Sequence, residues 1–232
     1  MAVAVKTIKI IYWLLIAFFI VLIIVNTVPY YLFDPNLLRE YALSGKYPFL
    51  VSKQNLVYSL LWRVAFYMHI TGAMACIVSG FPQFSFWLLR KKRNLHRWLG
   101  KIYIVSVLYI ACPSGFYMSF FTNGGIMGII PFMSIAVLWF FTSYTAYRYI
   151  KNKNITEHGL WMVRSYALTL SAITFRIYNY IFGIFLDMHP IQNYILSLWI
   201  SLLGNILIGE IAVLYYKNRI FKTQNFLIDE NK

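Results

Sequence analysis

Six long apolar stretches constrain this sequence more than any other feature. A helix needs about 20 apolar residues to cross the hydrocarbon core of a bilayer, and a backbone in lipid must satisfy its own hydrogen bonds. The chain is therefore predicted to be an all-α, polytopic membrane helix bundle with six transmembrane helices, forming a single integral membrane domain over residues 1–232. The predicted spans cover residues 10–33, 64–89, 98–121, 126–149, 160–186 and 194–216.

Charge and composition agree with this class and indicate an orientation. The sequence is 60% hydrophobic and 12% charged, whereas a soluble domain is about a quarter charged. Lys and Arg cluster in the loops that one face of the membrane would share, and short basic loops stay in the cytoplasm. The pattern predicts an N-in/C-in topology with segment 34–63 outside the cytoplasm. Topology and anionic lipid account for the net charge of +14, so the expected partner is the lipid bilayer, and no nucleic acid is expected.

Histidines within or beside the spans are the first candidate site residues. Ionisable groups are costly in hydrocarbon, so each is a functional hypothesis by default. The predicted topology places His96 and His158 in one layer near the inner face, and His69 and His189 in another near the outer face. Facing imidazoles are the ligands of a b-type haem. His96 and His158 are therefore the candidate ligands of haem iron or another metal.

Small and basic residues near these histidines extend the candidate cofactor site. Gly100 lies one turn after His96, and Gly72 lies close to His69 in sequence, so that each glycine leaves room for a flat ligand against the backbone. Arg176 is expected near His69 and is a candidate cofactor-binding residue. The sequence identifies no catalytic residue.

The fifth predicted helix carries a stripe of residues that recur every three or four positions. This spacing predicts one interior face with His158 and Arg176 at its opposite ends. Arg164 points elsewhere, at a depth similar to that of Glu210 in the sixth helix, and the two are predicted to form a structural ion pair. The stripe consists of His158, Met162, Ser165, Thr169, Ala172, Arg176, Tyr180, Gly183 and Asp187.

Three motifs resemble those of a known family. HITGAMACIVSGFPQF, LHRWLGKIY and EHGLWMVRSYALTLSAITFR are similar to the uncharacterised bacterial membrane proteins grouped as domain of unknown function 2306 (DUF2306), over about residues 60–185. The resemblance implies a multi-pass protein of the bacterial inner membrane. The histidines of the third and fifth spans also resemble the layout of cytochrome b561-type membrane cytochromes, which implies haem b, although the fourth span supplies no histidine.

Three classes of function remain open. The first is an electron carrier or quinone-linked protein that uses His96 and His158. The second is a small-solute or proton-coupled transporter, in which polar residues of the fifth helix line a path. The third is a non-catalytic membrane structural or assembly protein whose polar residues fix the helix packing. The path residues of the second class would be Ser165, Thr169, Arg176, Asn179 and Asp187.

Overall fold

The structure is a computed structural model that describes residues 53–229, with side chains as far as Lys217, together with four isolated helical positions nearer the N-terminus. The first predicted span, 10–33, and most of the outer segment, 34–63, lie outside the described residues. The four isolated positions are Leu14, Phe18, Val21 and Val25.

The described chain is built from helices, and no strand occurs between residues 53 and 229. A 3-10 turn, Phe81–Phe84, follows α2, and a π-helical segment, Ser106–Ala111, joins α4 to α5. The α-helices are α1 (Gln54–Val57), α2 (Leu60–Gly80), α3 (Phe86–Lys91), α4 (Arg93–Val105), α5 (Cys112–Ser119), α6 (Ile126–Lys151), α7 (Ile155–Thr169), α8 (Ser171–Phe185) and α9 (Pro190–Asp229).

Five of the six predicted spans are confirmed as helical segments long and apolar enough to cross a membrane. The sixth, residues 10–33, is not among the residues searched. The protein is therefore an all-helical membrane protein. The spanning segments are Leu60–Phe84, Arg93–Ser119, Ile126–Lys151, Ile155–Phe185 and Pro190–Lys217.

Helix ends differ from the predicted boundaries by a few residues, because polar caps lie outside the apolar runs. Ser59 accepts the Trp62 N–H through its hydroxyl at 3.5 Å and begins α2. Asn154 accepts the Glu157 N–H at 3.1 Å and begins α7. Side-chain acceptors of this kind satisfy the free N–H groups of a first turn, so a window of apolar residues alone starts each helix too late.

The second described span changes its winding in its middle. Pro113 lacks an N–H and its ring displaces the carbonyl one turn earlier, and the π-helical segment Ser106–Ala111 directly precedes the turn in which it lies. Side chains use the carbonyls there, since the Ser114 hydroxyl donates to Ile110 and Ala111. Segments of this type are common at functional sites.

The span Ile155–Phe185 is interrupted at Leu170, a break that the sequence did not indicate with Gly or Pro. Hydroxyl side chains on both sides donate to backbone carbonyls: Thr169 to Ser165 at 3.1 Å, and Thr174 to Leu170 at 3.3 Å. Such bonds compete with the regular helical pattern and bend helices. The break separates α7 from α8 in the middle of the bundle.

The helices pack as neighbours in a bundle with two different ends. Helix α6 packs along α7, α9 packs along both α7 and α8, and α2 packs along α4, the π-helical segment and α5. We call the end that holds His96 and His158 the histidine end. The opposite end, which holds Lys53 and the loop 120–125, is the cavity end.

Candidate functional site

A cavity of about 410 Å³ occupies the cavity end of the bundle. Helices α2, α5, α6, α7, α8 and α9 all contribute to its wall, which is mostly apolar and rich in aromatic rings. Its volume falls within the range of about 300–1,000 Å³ that is typical of small-molecule sites. Its polar and charged lining residues include Lys53, His69, Thr169, Ser171, Arg176 and Tyr194.

His69 lies in the cavity wall with its ring orientation fixed. Its Nδ1 lies 3.0 Å from the carbonyl oxygen of Ala111, and a carbonyl only accepts, so Nδ1 carries the proton. A side chain at Gly115 would lie 2.8 Å from two atoms of the ring, so Gly115 makes the space that the ring occupies. In the neutral ring the second nitrogen, Nε2, is left as an acceptor.

Lys53 reaches the cavity from the segment before α1. Its side chain is buried, with 6% of the residue exposed, and its ammonium donates to the Phe121 carbonyl and to the side-chain oxygen of Asn123, the second at 2.7 Å. These bonds tie the loop 120–125 to the bundle. Burial lowers the pKa of Lys53 below its usual value. Among the residues that the structure describes, no carboxylate pairs with it.

Two further polar groups in the wall are buried and have no hydrogen-bond partner among the described residues. They are the indole N–H of Trp62 and the hydroxyl of Ser171, on residues that are 1% and 3% exposed. A buried donor without a partner costs about 1–3 kcal/mol. Both groups therefore favour a ligand that accepts hydrogen bonds.

A cluster of hydroxyl groups lies beside the cavity and contributes Thr169 to its lining; we call Tyr103, Ser143, Ser165 and Thr169 the hydroxyl cluster. The Tyr103 hydroxyl lies 2.7 Å from that of Ser165 and 2.8 Å from that of Thr169. Ser143 bonds to Ser165 at 2.7 Å, and the Trp139 indole N–H donates to Tyr103 at 3.2 Å. All four hydroxyl groups have partners, and their hydrogen bonds join α4, α6 and α7.

The histidine end brings His96 and His158 together. Nδ1 of His158 donates to the Ala146 carbonyl at 2.9 Å, so its Nε2 is the acceptor nitrogen in the neutral ring. His96 lies close enough for the two imidazoles to interact electrostatically, and its own Nδ1 is buried without a partner among the described residues. A fixed second nitrogen is a common feature of histidines that bind a metal.

Arg164 and Glu210 also meet near the histidine end. Nε and Nη2 of the guanidinium donate to the two carboxylate oxygens at 2.6 and 2.9 Å. The guanidinium also lies over the Trp161 ring, 4.6 Å from its centroid. This two-point pair joins α7 to α9.

The five candidate cofactor residues therefore fall into two groups at opposite ends. His96 and His158 lie at the histidine end, and Gly100 follows His96 by one turn. Among the described residues, the Gln83 side chain is the group near Gly100, at 3.8 Å from an added Cβ. His69 and Arg176 line the cavity and interact electrostatically. The structure thus keeps Arg176 away from the His96–His158 pair.

Three details differ from the sequence-based expectations. His189 does not line the cavity with His69; it is exposed and accepts the Ile191 N–H at 3.3 Å. The space beside Gly72 is filled by the π-helical segment, since an added Cβ would lie 2.9 Å from the Ala111 nitrogen. The stripe of the fifth predicted helix is not one interior face, because Tyr180 is 72% exposed in the described structure. Tyr180 lies in α8, beyond the break at Leu170.

Sequence reasoning missed Lys53 and Trp62 as site residues. Lys53 was assigned to an outer surface segment, and Trp62 precedes the predicted start of its span. Their role in the cavity wall depends on the tertiary structure, which places the loop 120–125 and α8 around the same space. No group of three or more His, Cys, Asp or Glu side chains that would hold a metal ion occurs within the described part of the chain.

These features define a polytopic helical membrane protein with a ligand-sized cavity inside its bundle. The DUF2306 model, described as a predicted membrane protein, matches residues 66–213, and the chain belongs to this family. The resemblance read from the three sequence motifs is thereby confirmed. No match was found among curated proteins or among solved structures.

Proposed function

We propose that this protein binds a lipid-soluble molecule inside the membrane, in the cavity between α2, α6 and α8. The observation that carries the proposal is the cavity of about 410 Å³ with mostly apolar walls, whose lining includes Lys53 and two residues, Trp62 and Ser171, with buried polar groups that have no partner among the described residues. Apolar walls with a few placed polar groups are typical of sites for small molecules. The membrane itself would supply such a ligand.

The lining indicates the chemistry of the ligand. Aromatic and aliphatic walls favour an apolar body, whereas the Trp62 indole N–H and the Lys53 ammonium favour a head that accepts hydrogen bonds. A quinone, which accepts through its carbonyl oxygens, and an amphiphile with an oxygen-rich head both have this chemistry. A quinone-linked function would accordingly use the cavity rather than the His96–His158 pair.

Filling the cavity tests the proposal. Ala73 lines the cavity, whereas Ala75, two residues later on α2, does not. We expect Ala73→Leu to remove most of the lipid-soluble molecules that co-purify with the protein in detergent, as measured by extraction and mass spectrometry, and Ala75→Leu to leave them unchanged. Equal ligand content in both variants and in the unsubstituted protein would contradict binding in the cavity.

A second candidate function, electron transfer through a b-type haem, is favoured by the arrangement of His96 and His158. One ring has its Nδ1 proton fixed by Ala146, the other has a buried nitrogen without a partner among the described residues, and the two interact electrostatically. Two imidazoles from different helices are the ligand set of such a haem. Gly100 would leave space beside His96 for the macrocycle.

A reduced-minus-oxidised absorption spectrum of protein expressed with added haem precursor tests this second function. We expect a sharp α-band that disappears in His96→Ala and in His158→Ala and persists in the control His189→Ala, which alters an exposed histidine. A flat spectrum of the unsubstituted protein would contradict haem binding, and the two histidines would then have a structural role.

We also propose a bacterial inner-membrane location with both termini in the cytoplasm. The histidine end carries most of the basic loop residues, which supports this orientation because basic loops remain in the cytoplasm. A reporter fused to the C-terminus that is active only in the cytoplasm tests it. Transport of a small solute and a purely structural role stay predictions. The basic residues concerned are Lys91, Lys92, Arg93, Arg97, Lys101, Arg148, Lys151 and Lys153.

A further inference from the structure

The cavity is lined by basic side chains and by no carboxylate among the described residues. We propose that it binds a single-chain amphiphile whose anionic oxygen head lies at Lys53 and whose apolar tail lies between the aromatic side chains of the wall. This inference rests on the proposed function, ligand binding in the cavity, and specifies the class of ligand.

Lys53 supplies the charge that the ligand would neutralise. Its ammonium has three N–H donors, and the Phe121 carbonyl and the Asn123 side chain use two of them. A buried charge is costly unless it is both paired and hydrogen-bonded. The protein provides the hydrogen bonds, and among the described residues it provides no carboxylate. An anionic head would complete the pair.

The rest of the lining has the same electrostatic preference. No Asp or Glu occurs among the lining residues that the structure describes, whereas Arg176 and His69 line the cavity together with Lys53. An anion is attracted to such a lining and a cation is repelled. An uncharged head would leave the Lys53 charge unpaired.

The Trp62 indole N–H, the Ser171 hydroxyl and three aromatic rings of the wall would contact the rest of such a molecule. The Trp62 indole only donates, and it is buried without a described partner, so it requires an acceptor such as a carboxylate or phosphate oxygen. Phe132 and Phe175 meet edge to face at 6.1 Å, and Phe175 meets Tyr194 at 5.4 Å. These rings form an apolar surface along which a hydrocarbon tail would lie.

The protonation state of Lys53 links binding to pH. Burial lowers the pKa of Lys53 from its usual value, and a bound anion favours the charged form and raises it again. His69, Cys112, Arg176 and Tyr194 are the other ionisable groups among the described lining residues. The preference for the anion should therefore weaken as pH rises and Lys53 loses its proton.

A matched pair of probes tests the sign of the charge. Radiolabelled dodecanoate and dodecanol share one tail and differ in head charge, and each is equilibrated with the protein in nanodiscs of neutral phosphatidylcholine, with protein-free nanodiscs as the blank. We expect dodecanoate to bind about tenfold more tightly than dodecanol, as a charge-assisted hydrogen bond would give. Dodecyl phosphate in a third arm distinguishes a phosphate head from a carboxylate.

Variants assign the preference to Lys53. We expect Lys53→Met to reduce the ratio of acid to alcohol affinity to about twofold or less while dodecanol binding remains. Trp62→Phe, which keeps an aromatic ring but a smaller one and removes the N–H, should weaken both probes, by about threefold. Lys151→Met removes an exposed charge at the opposite end and should change neither affinity.

The outcomes separate this inference from the proposed function. Equal binding of acid and alcohol, or an unchanged ratio in Lys53→Met, would overturn the anionic ligand and leave ligand binding in place. Binding of neither probe above the blank would overturn both. If Lys53 only holds the loop 120–125 in place, Lys53→Met should weaken the binding of both probes equally. That result would also overturn the inference.

Discussion

His69 at the cavity end and His158 at the histidine end make the same bond in different surroundings. Each imidazole donates through Nδ1 to a carbonyl of a neighbouring helix, to Ala111 at 3.0 Å and to Ala146 at 2.9 Å. His69 then lines a cavity, whereas His158 lies near enough to a second histidine, His96, to interact with it electrostatically. A histidine in an apolar helix thus does not define a site; the space and groups beyond its second nitrogen do.

The hydroxyl cluster separates the two regions, and Tyr103→Phe is expected to have the largest effect on stability. The substitution leaves the ring in place but removes the Tyr103 hydroxyl, to which the Trp139 N–H donates and which is one of the partners of Thr169 and of Ser165. Unsatisfied buried groups cost about 1–3 kcal/mol each, so we expect a loss of about 3 kcal/mol in the free energy of unfolding.

Thermal unfolding of the detergent-solubilised protein measures this loss. Thr142→Val is the control, because the Thr142 hydroxyl is buried nearby but bonds only to carbonyls of its own helix. If both variants unfold at the same temperature as the unsubstituted protein, the cluster does not hold the two regions together.

Alanine substitutions at one glycine of the cavity end and one near the histidine end should change the stability of the protein in opposite directions. Gly115→Ala would place a methyl group 2.8 Å from the His69 ring, and overpacking of this kind costs about 1–3 kcal/mol. Gly159→Ala, near the histidine end, meets nothing within 4 Å and should stabilise α7 by about 0.5 kcal/mol. Unfolding temperatures measured side by side test the pair, and a loss of stability in both would show that the His69 pocket is not specially tight.

The Arg164–Glu210 pair should contribute little, although its geometry is good. Glu210 has 46% of its side chain exposed, and exposed pairs contribute about 0–1 kcal/mol. We expect Glu210→Gln to lower the free energy of unfolding by no more than about 1 kcal/mol and to leave ligand content unchanged, as measured by unfolding and by extraction. Loss of ligand in this variant would mean that the two ends are coupled.

The smallest expected effect is the contribution of Lys53 to the pH dependence of the free energy of unfolding. Because burial lowers the pKa of Lys53 from 10.5, the unfolded chain holds this proton at pH values where the folded chain has released it. Stability should therefore rise as pH increases through the window between the lowered pKa and the unfolded value. Subtracting the pH profile of Lys53→Met isolates this contribution, since the other lysines are common to both proteins. A difference that falls with pH would contradict a buried, unpaired ammonium.

Much of the architecture could be predicted because hydrophobicity is a property of single residues. Five apolar runs became spanning helices, and Arg164 and Glu210, placed at one depth by counting turns, lie within hydrogen-bond distance. The break at Leu170 was not predicted, because it depends on the carbonyls to which the hydroxyls of Thr169 and Thr174 donate. The same hydroxyls also contact Tyr103 and Ser201 of neighbouring helices, and tertiary packing brings those helices near.

The sequence by itself determined that this chain spans a membrane as helices and which of its polar groups carry an energetic cost there. Only the tertiary structure decided which of those costs are met within the protein. His158 and the hydroxyl cluster find partners on adjacent helices, whereas Lys53, Trp62 and Ser171 come together around a space. The physical reason is that burial in lipid follows from composition, but a cavity is the volume that six packed helices leave unfilled, and no residue encodes it alone.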